Sequence, residues 1–355
     1  MDAKPGTEDL AQHFVDAPSV FETSPLYQAL CKETAGNRPI LELLRNRRSG
    51  QQPSFLLFGA AHDLLMSGVS HALRDYYPSL TGNRARDPAD AGPVFREFCG
   101  QYADELEQVI RTRLVQSNVV RRAAGLRYAL WAIGKRCKQP VHLIEVGASA
   151  GLLLNVDRYR YLIGDQAFGR PGAPVTIDSR WRSTEPVPDL DDVPGIASRT
   201  GIDLNPVDIT DARERRWLMA LVWPEERGES ALLEAAIGEA VQYPLTIIAG
   251  DAIDLCRGIG RDLPAGEPRV VFHAATRMHV PGDQHAAFDT AIDAIGESGP
   301  LYHVWLEPPS APHHPYQGDH RGVIAMHGPG DDEPSSLVRA DGHLHWLEPL
   351  RRPMS

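Results

Sequence analysis

The chain has 355 residues, which is long enough for a large core and for two domains. Acidic residues outnumber basic ones by 47 to 36, and the net charge of −11 argues against nucleic acid or an anionic membrane as the main partner. No apolar run approaches the roughly 18 residues that a membrane helix needs, and the opening stretch MDAKPGTEDL carries no apolar signal region. Four widely spaced cysteines form no C-x-x-C pair, so we expect a reduced, cytoplasmic protein.

The first 135 residues are predicted to be helical. Apolar residues recur at helical spacing in successive segments, and Ser24 before Pro25 resembles an N-cap followed by proline at the first helical position. The segment 81–93 is rich in Gly, Pro, Asp and Arg and is expected to be a surface loop. No convincing strand precedes residue 141. We therefore expect an all-helical N-terminal domain at residues 1–135.

After residue 140, short β-rich runs alternate with helical patterns. This alternation predicts an α/β domain at residues 136–355 with a doubly wound, mostly parallel, Rossmann-like sheet. The predicted strands are His142–Val146, Val175–Ile177, Thr200–Leu204, Leu245–Ala249, Val270–His273, Leu301–Leu306, Val323–His327 and His343–Leu347. The pair Asp341-Gly342 predicts a hairpin before the last strand.

A turn of small residues follows the first predicted strand, and the leucines at 152–154 then favour the start of a helix. Small residues let a ligand approach the backbone, and a helix N-terminus offers unpaired N–H groups. The acid just before the turn lies where open α/β sheets bind ligands, and it suits a hydroxyl or amino group. The turn could equally be only a tight strand-to-helix connection. The candidate ligand-binding residues here are Glu145, Gly147, Ala148, Ser149 and Gly151.

Two further strand ends carry acids that could bind the same ligand. Asp203, followed by Leu204, is a candidate partner for ribose hydroxyls. It lies much farther from Gly147 than the roughly 20 residues of the simple unit, so Asp178, after the strand at 175–177, is the alternative. Asp251, after the strand at 245–249, could accept a hydrogen bond from an adenine amino group or could only cap the next helix.

Histidines supply the remaining candidates. His273 ends an apolar strand and is a candidate general base, although a histidine there often has only a structural hydrogen-bonding role. In the C-terminal part, Glu307, His313, His314 and His320 could bind zinc or iron, but their spacing matches no closed zinc pattern. Because this stretch is rich in proline, an irregular lid over the pocket is the favoured interpretation.

The order of these motifs resembles a class I S-adenosylmethionine-dependent methyltransferase. More specifically, the chain resembles the uncharacterised bacterial family DUF2332 over nearly its whole length. The matching stretches are SPLY at 24–27, VQSN at 115–118, EVGASAGLLLN at 145–155, DRYRY at 157–161, GIDLNPVDITD at 201–211 and RRWLMALVWP at 215–224. The resemblance implies a methyltransferase-like domain behind a helical one, and it supplies no substrate.

The leading hypothesis is therefore binding of S-adenosylmethionine and methyl transfer to an unidentified small molecule or protein. In such enzymes the cofactor already carries an activated methyl group, so the protein mainly aligns donor and acceptor. The first alternative is a non-catalytic ligand-sensing or scaffold protein on the same fold. The second is a metal-dependent hydrolase that uses the histidine-rich region. The sequence leaves the oligomeric state open.

Overall fold

The structure is a computed structural model that describes residues 6–307 and 322–350. The chain divides into two compact units. The first unit comprises Met1–Ser117 and Thr210–Glu234, and the second comprises Asn118–Ile209 and Ala235–Ser355. The predicted boundary lies after residue 135. In the structure, residues 118–135 belong to the second unit instead of the first, and residues 210–234 belong to the first instead of the second. Across the part of the chain that the structure describes, no helix is both long and apolar enough to cross a bilayer.

After residue 140, five strands follow one another without an α-helix between them, and α-helices then separate the fifth to the eighth strand. In chain order the α-helices are α1 Thr7–Asp16, α2 Pro25–Ala35, α3 Arg38–Leu43, α4 Pro53–Met66, α5 Pro78–Thr81, α6 Ala91–Gln101, α7 Ala103–Thr112, α8 Ala123–Gly134, α9 Ala212–Ala220, α10 Arg227–Gln242, α11 Ala252–Asp262 and α12 His285–Ile295. The strands are β1 Val141–Val146, β2 Arg160–Ile163, β3 Gln166–Gly169, β4 Thr176–Trp181, β5 Ile196–Asp203, β6 Thr246–Ala249, β7 Arg269–Ala274, β8 Leu301–Glu307, β9 Gly322–His327, β10 Ser335–Ala340 and β11 Trp346–Pro349.

In the first unit, helices pack around an aromatic core. Phe14, Phe21 and Phe58 are fully buried, and α4 buries residues all round its surface, as a central helix does. Trp217 and Leu221, from the returning segment 210–234, belong to the same core. At the start of α2, the predicted N-cap is present, because the hydroxyl of Ser24 accepts a hydrogen bond from the Tyr27 N–H.

The second unit contains a mixed, mostly parallel 11-stranded sheet in the order β3-β2-β4-β11-β10-β9-β8-β7-β1-β5-β6. The five strands β6-β5-β1-β7-β8 are all parallel. From β8 to β11 the chain runs as an antiparallel meander, which includes the predicted late hairpin between β10 and β11. A parallel pairing of β11 with β4 then joins β4, β2 and β3 to the sheet.

Helices cover both faces of this sheet. All six residues of β1 are buried, as expected for a central parallel strand. On one face, Ile144 and Val271 share a core cluster with Phe288 of α12. Because side chains alternate along a strand, Phe272 points to the opposite face, where Gly125 and Leu126 of α8 line a cavity beside it.

Two sequence-based expectations need correction. No α-helix follows the glycine turn: the segment Leu152–Asn155 is a single 3-10 turn, and the chain continues into the β2–β3 hairpin. The Gly164-Asp165 pair suits a two-residue hairpin turn, and Gly164 has φ +62°. The strands β2, β3 and β10 were also missing from the prediction, whereas each of the eight predicted strands overlaps an observed one.

The close approach of α8 to the sheet yields a stability prediction. A Cβ on Gly125 would lie 2.4 Å from Ile324 Cδ1, so Gly125→Ala should destabilise the fold by about 1–3 kcal/mol despite the better helix propensity of alanine. Gly258→Ala in α11 is the matched control, because nothing lies within 4 Å of its Cβ position. It should stabilise by about 0.5–1 kcal/mol in urea unfolding. Equal effects of the two substitutions would contradict the packing argument.

Candidate functional site

The glycine turn folds back over the end of β5. The N–H groups of Gly147 and Ala148 both donate to Ile202 O, at 2.8 and 3.0 Å. The Ser149 N–H donates to Asp203 Oδ2 at 2.7 Å. These amides are therefore used by the chain itself. With no helix N-terminus behind them, the turn does not present the row of free N–H donors that the sequence suggested.

Three hydrogen bonds hold Ser149 in place: the one that its N–H donates to Asp203 and two that its Oγ and its O accept. Its backbone is in the left-handed region, with φ +51°, a conformation that costs a non-glycine residue roughly 1–2 kcal/mol. Asn118 Nδ2 donates to Ser149 Oγ at 2.8 Å, and the Val207 N–H donates to Ser149 O at 3.1 Å. Such strain persists where the surroundings fix it, and it is typical of functional turns. Asn118 ends the VQSN stretch, which thereby acquires a physical role.

Gly147 lies under the loop that follows β7. It has φ +76°, and a Cβ there would lie 2.3 Å from Thr276 Oγ1. The Thr276 hydroxyl donates to Val146 O at 3.1 Å, which fixes the loop against the end of β1. The space directly above Gly147 is thus filled by Thr276. Gly151 is similarly close-packed, since its Cβ position lies 3.0 Å from Ile247 Cδ1.

A pair of substitutions separates backbone strain from this contact. Gly172 also has a positive φ, +72°, but nothing lies within 4 Å of its Cβ position. Gly147→Ala should therefore cost at least about 1 kcal/mol more than Gly172→Ala, because only the first also overpacks the Thr276 contact. Chemical denaturation measures both. Adding Thr276→Ala should recover part of the Gly147→Ala loss, and equal losses at the two glycines would refute the contact.

Glu145 is a buried carboxyl at the end of β1. It is 4% exposed, and its Oε2 has no hydrogen-bond partner among the described residues. Burial, and then the nearby Asp203 carboxylate, raise the pKa of Glu145 well above its ordinary value of 4.5. The raised pKa favours the neutral form of Glu145, which can donate a hydrogen bond as well as accept one.

This raised pKa predicts a pH-dependent stability. Above pH 4.5 the unfolded chain ionises Glu145 while the folded chain keeps the proton, so stability falls as pH rises, by up to about 1.4 kcal/mol per unit. The Glu145→Gln variant lacks this pH dependence. The free energy of unfolding of the variant, compared with that of the parent, should therefore rise with pH. Urea unfolding between pH 5 and 8 measures the difference, with the exposed Glu333→Gln as control. Parallel curves for Glu145→Gln and parent would rule out a neutral Glu145.

The other predicted acids lie at different points of the sheet. Asp203 is the last residue of β5, the strand that pairs with β1, and its Oδ1 accepts from the Asn205 N–H at 2.7 Å. Asp178 lies on β4, away from β1, and pairs with Arg121 at 2.9 Å. Leu204 is 68% exposed. Asp251 caps α11 through the Ile253 N–H at 2.9 Å, as the structural alternative proposed.

His273 lies in a buried polar chain. Its Nδ1 is 2.6 Å from Glu307 Oε1, and its Nε2 is 3.0 Å from His303 Nε2. Burial, with His273 adding to it, lowers the pKa of His303 well below its ordinary value. Because both ring nitrogens of His273 already have partners, this geometry favours the structural role over that of a base facing a ligand.

Glu307 links this chain to the loop above Gly147. Its Oε1 also accepts from the N–H groups of Thr276 and Arg277, at 2.9 and 3.0 Å. Burial opposes ionisation, but the hydrogen bond from His273 and these amides hold the pKa of Glu307 below its usual value. The loop that packs on Gly147 is therefore anchored by an ionised, buried carboxylate. Sequence reasoning missed Thr276, because the residues after β7 carry no recognisable motif.

Only one of the four proposed metal ligands lies among the residues that the structure describes. His313, His314 and His320 lie outside the described residues, while Glu307 is committed to the contacts above. Within residues 6–307 and 322–350, no group of three or more His, Cys, Asp or Glu side chains is arranged to hold a metal ion. The metal site stays a prediction.

Fold and site together define a mixed α/β protein with small-residue and acidic strand ends at one rim of a mostly parallel sheet. Residues 13–348 match the family described as "Uncharacterized protein conserved in bacteria (DUF2332)". The chain belongs to this bacterial family, as the sequence resemblance indicated. No curated protein matched the chain significantly.

Proposed function

We propose that the protein binds S-adenosylmethionine at the rim formed by the carboxyl ends of β1, β5 and β6 and transfers its methyl group to an acceptor. The parallel strands β6-β5-β1-β7-β8 follow the order 3-2-1-4-5 of doubly wound nucleotide-binding sheets. In such sheets the ligand lies outside the carboxyl ends of the strands, where the strand order reverses. Here that point is between β1 and β7, next to the glycine turn.

The observation that carries the proposal is the set of acids on the three strands at this rim. Glu145 is the last residue but one of β1, Asp203 ends β5, and Asp251 follows β6, the next strand along. Asp203 suits the ribose hydroxyls, and Asp251 suits the adenine amino group. Leu204, a large exposed apolar side chain beside Asp203, suits an adenine face. The protonated form of Glu145, which its raised pKa favours, can donate to a ligand oxygen.

The hydrogen bonds that these acids accept within the chain are compatible with ligand binding. Asp203 Oδ2 accepts from the Ser149 N–H and Oδ1 from the Asn205 N–H, and a carboxylate oxygen can accept more than one hydrogen bond. The same contacts hold Asp203 in one position before a ligand arrives, which lowers the ordering cost of binding. The bound cofactor supplies an activated methyl group. The protein's own contribution is then alignment of the acceptor with that group.

Calorimetry with S-adenosylhomocysteine tests this proposal. The ligand should bind the parent protein and raise its melting temperature by mass action. Asp251→Ser keeps an oxygen for capping α11 but removes the carboxylate, so it should weaken binding by about 1–3 kcal/mol. Asp211→Ser, at the N-cap of α9, is the matched control and should leave binding unchanged. No binding heat and no melting shift in the parent would overturn the proposal.

A non-catalytic ligand sensor is the second candidate. It is favoured by His273, whose ring nitrogens are both occupied, and by the amides of Gly147 and Ala148, which are bonded within the chain. A sensor would bind S-adenosylhomocysteine as above and methylate no compound in an acceptor screen. Methylation of any acceptor, lost in Asp251→Ser, would decide for the enzyme.

A further inference from the structure

One contact of the glycine turn comes from outside the strands that form the rim. Asn118 precedes α8, and its Nδ2 donates to Ser149 Oγ at 2.8 Å. The backbone of Ser149 has φ +51°, a left-handed conformation that L-residues other than glycine rarely adopt. A side-chain contact from a distant segment is one means of holding a serine in that conformation.

The segment that carries Asn118 is anchored to the second unit directly after this residue. Val120 is buried, and the buried Arg121 forms an ion pair with Asp178 of β4 at 2.9 Å. Because these anchors follow so closely in the chain, Asn118 has little conformational freedom left to lose when its amide bonds to Ser149. The contact is therefore made by one ordered segment with another.

The conformation of Ser149 decides where its N–H points. In the left-handed conformation this N–H donates to Asp203 Oδ2 at 2.7 Å. If Ser149 returned to an ordinary conformation, the planar peptide units on either side of it would rotate, and the N–H would turn away from the carboxylate. Asp203 would then lose a donor that fixes its orientation at the end of β5. Asn118 is thus linked to Asp203 through two successive hydrogen bonds.

We infer that Asn118 is a positioning residue that orients the carboxylate of Asp203 for ligand binding, acting through Ser149. The inference rests on the proposed function, in which Asp203 accepts hydrogen bonds from the ribose hydroxyls. A carboxylate that is already oriented loses less freedom when the ligand arrives, so the affinity is higher. In this role Asn118 needs no contact with the ligand.

Two substitutions of Ser149 separate positioning from a direct ligand contact. Glycine adopts a positive φ as readily as a negative one, so Ser149→Gly keeps the turn without help from Asn118. Ser149→Ala keeps the cost of the left-handed conformation and removes the Oγ that Asn118 contacts. Positioning therefore predicts that the alanine variant loses affinity and the glycine variant does not. A ligand contact made by the serine hydroxyl predicts equal losses.

Calorimetric titration of the full chain with S-adenosylhomocysteine measures these effects. Asn118→Ala and Ser149→Ala should each weaken binding about tenfold, the equivalent of one hydrogen bond, and Ser149→Gly by less than about threefold. In the Ser149→Gly protein, adding Asn118→Ala should change the Kd by less than about twofold, because the two residues are then uncoupled. Asn37→Ala, which removes the N-cap of α3 in the first unit, is the control. It should lower the melting temperature and leave the affinity unchanged.

The outcomes separate this inference from the proposed function. A parent protein that does not bind S-adenosylhomocysteine would contradict the proposed function and, with it, a role for Asn118 in binding. If the parent binds, unchanged affinity in Asn118→Ala would overturn the positioning role alone. Equal losses in Ser149→Ala and Ser149→Gly would overturn it too, since they indicate direct contact with the ligand. This last comparison leaves Asn118 in place, so it decides even where Asn118→Ala does not fold.

Discussion

The rim of the sheet depends on one hydrogen bond, from the Ser149 N–H to Asp203 Oδ2 at 2.7 Å. It ties the turn after β1 to the end of β5, and it holds Ser149 in a left-handed conformation that the side chain alone would disfavour. With the turn drawn over β5, Ala148 packs on Gly201, whose Cβ position lies 2.8 Å from Ala148 Cβ. The small residues of both stretches are thus explained by packing before any ligand is considered.

A second carboxylate performs the corresponding task on the other side of β1. Glu307 Oε1 accepts from His273 and from the amides of Thr276 and Arg277, and it thereby fixes the loop that covers Gly147. Asp203 at the end of β5 therefore fixes the glycine turn, and Glu307 at the end of β8 fixes the loop after β7. The two loops contact each other at Gly147. The third acid, Glu145, lies on β1 between them, and its pKa is raised first by burial and then by the Asp203 carboxylate, which favours its protonated form.

The sequence predicts this fold unevenly. Buried parallel strands such as β1 and β7 are recognisable because they are continuous apolar runs. Asp203 could be placed at a strand end by the same signal. The hairpin β2–β3 was missed because three leucines at 152–154 look like a helix start, whereas the segment forms a single 3-10 turn.

The chemistry of the site is harder to predict than its strands. The Gly147–Thr276 and His273–Glu307 contacts join residues far apart in the chain, and local patterns carry no information about them. The burial of Glu145, which decides its protonation, is likewise a property of the folded sheet.

The division of the first unit into two chain segments affects how the protein is made. Its core contains Trp217 and Leu221, while the rest of that core comes from residues before 118. During synthesis at about 5–20 residues per second, the early helices wait roughly 5–20 s for the ribosome to reach the second segment. Throughout that delay the buried surface of α4 beside Gly59, which Trp217 and Leu221 later cover, remains open to water and to other nascent chains.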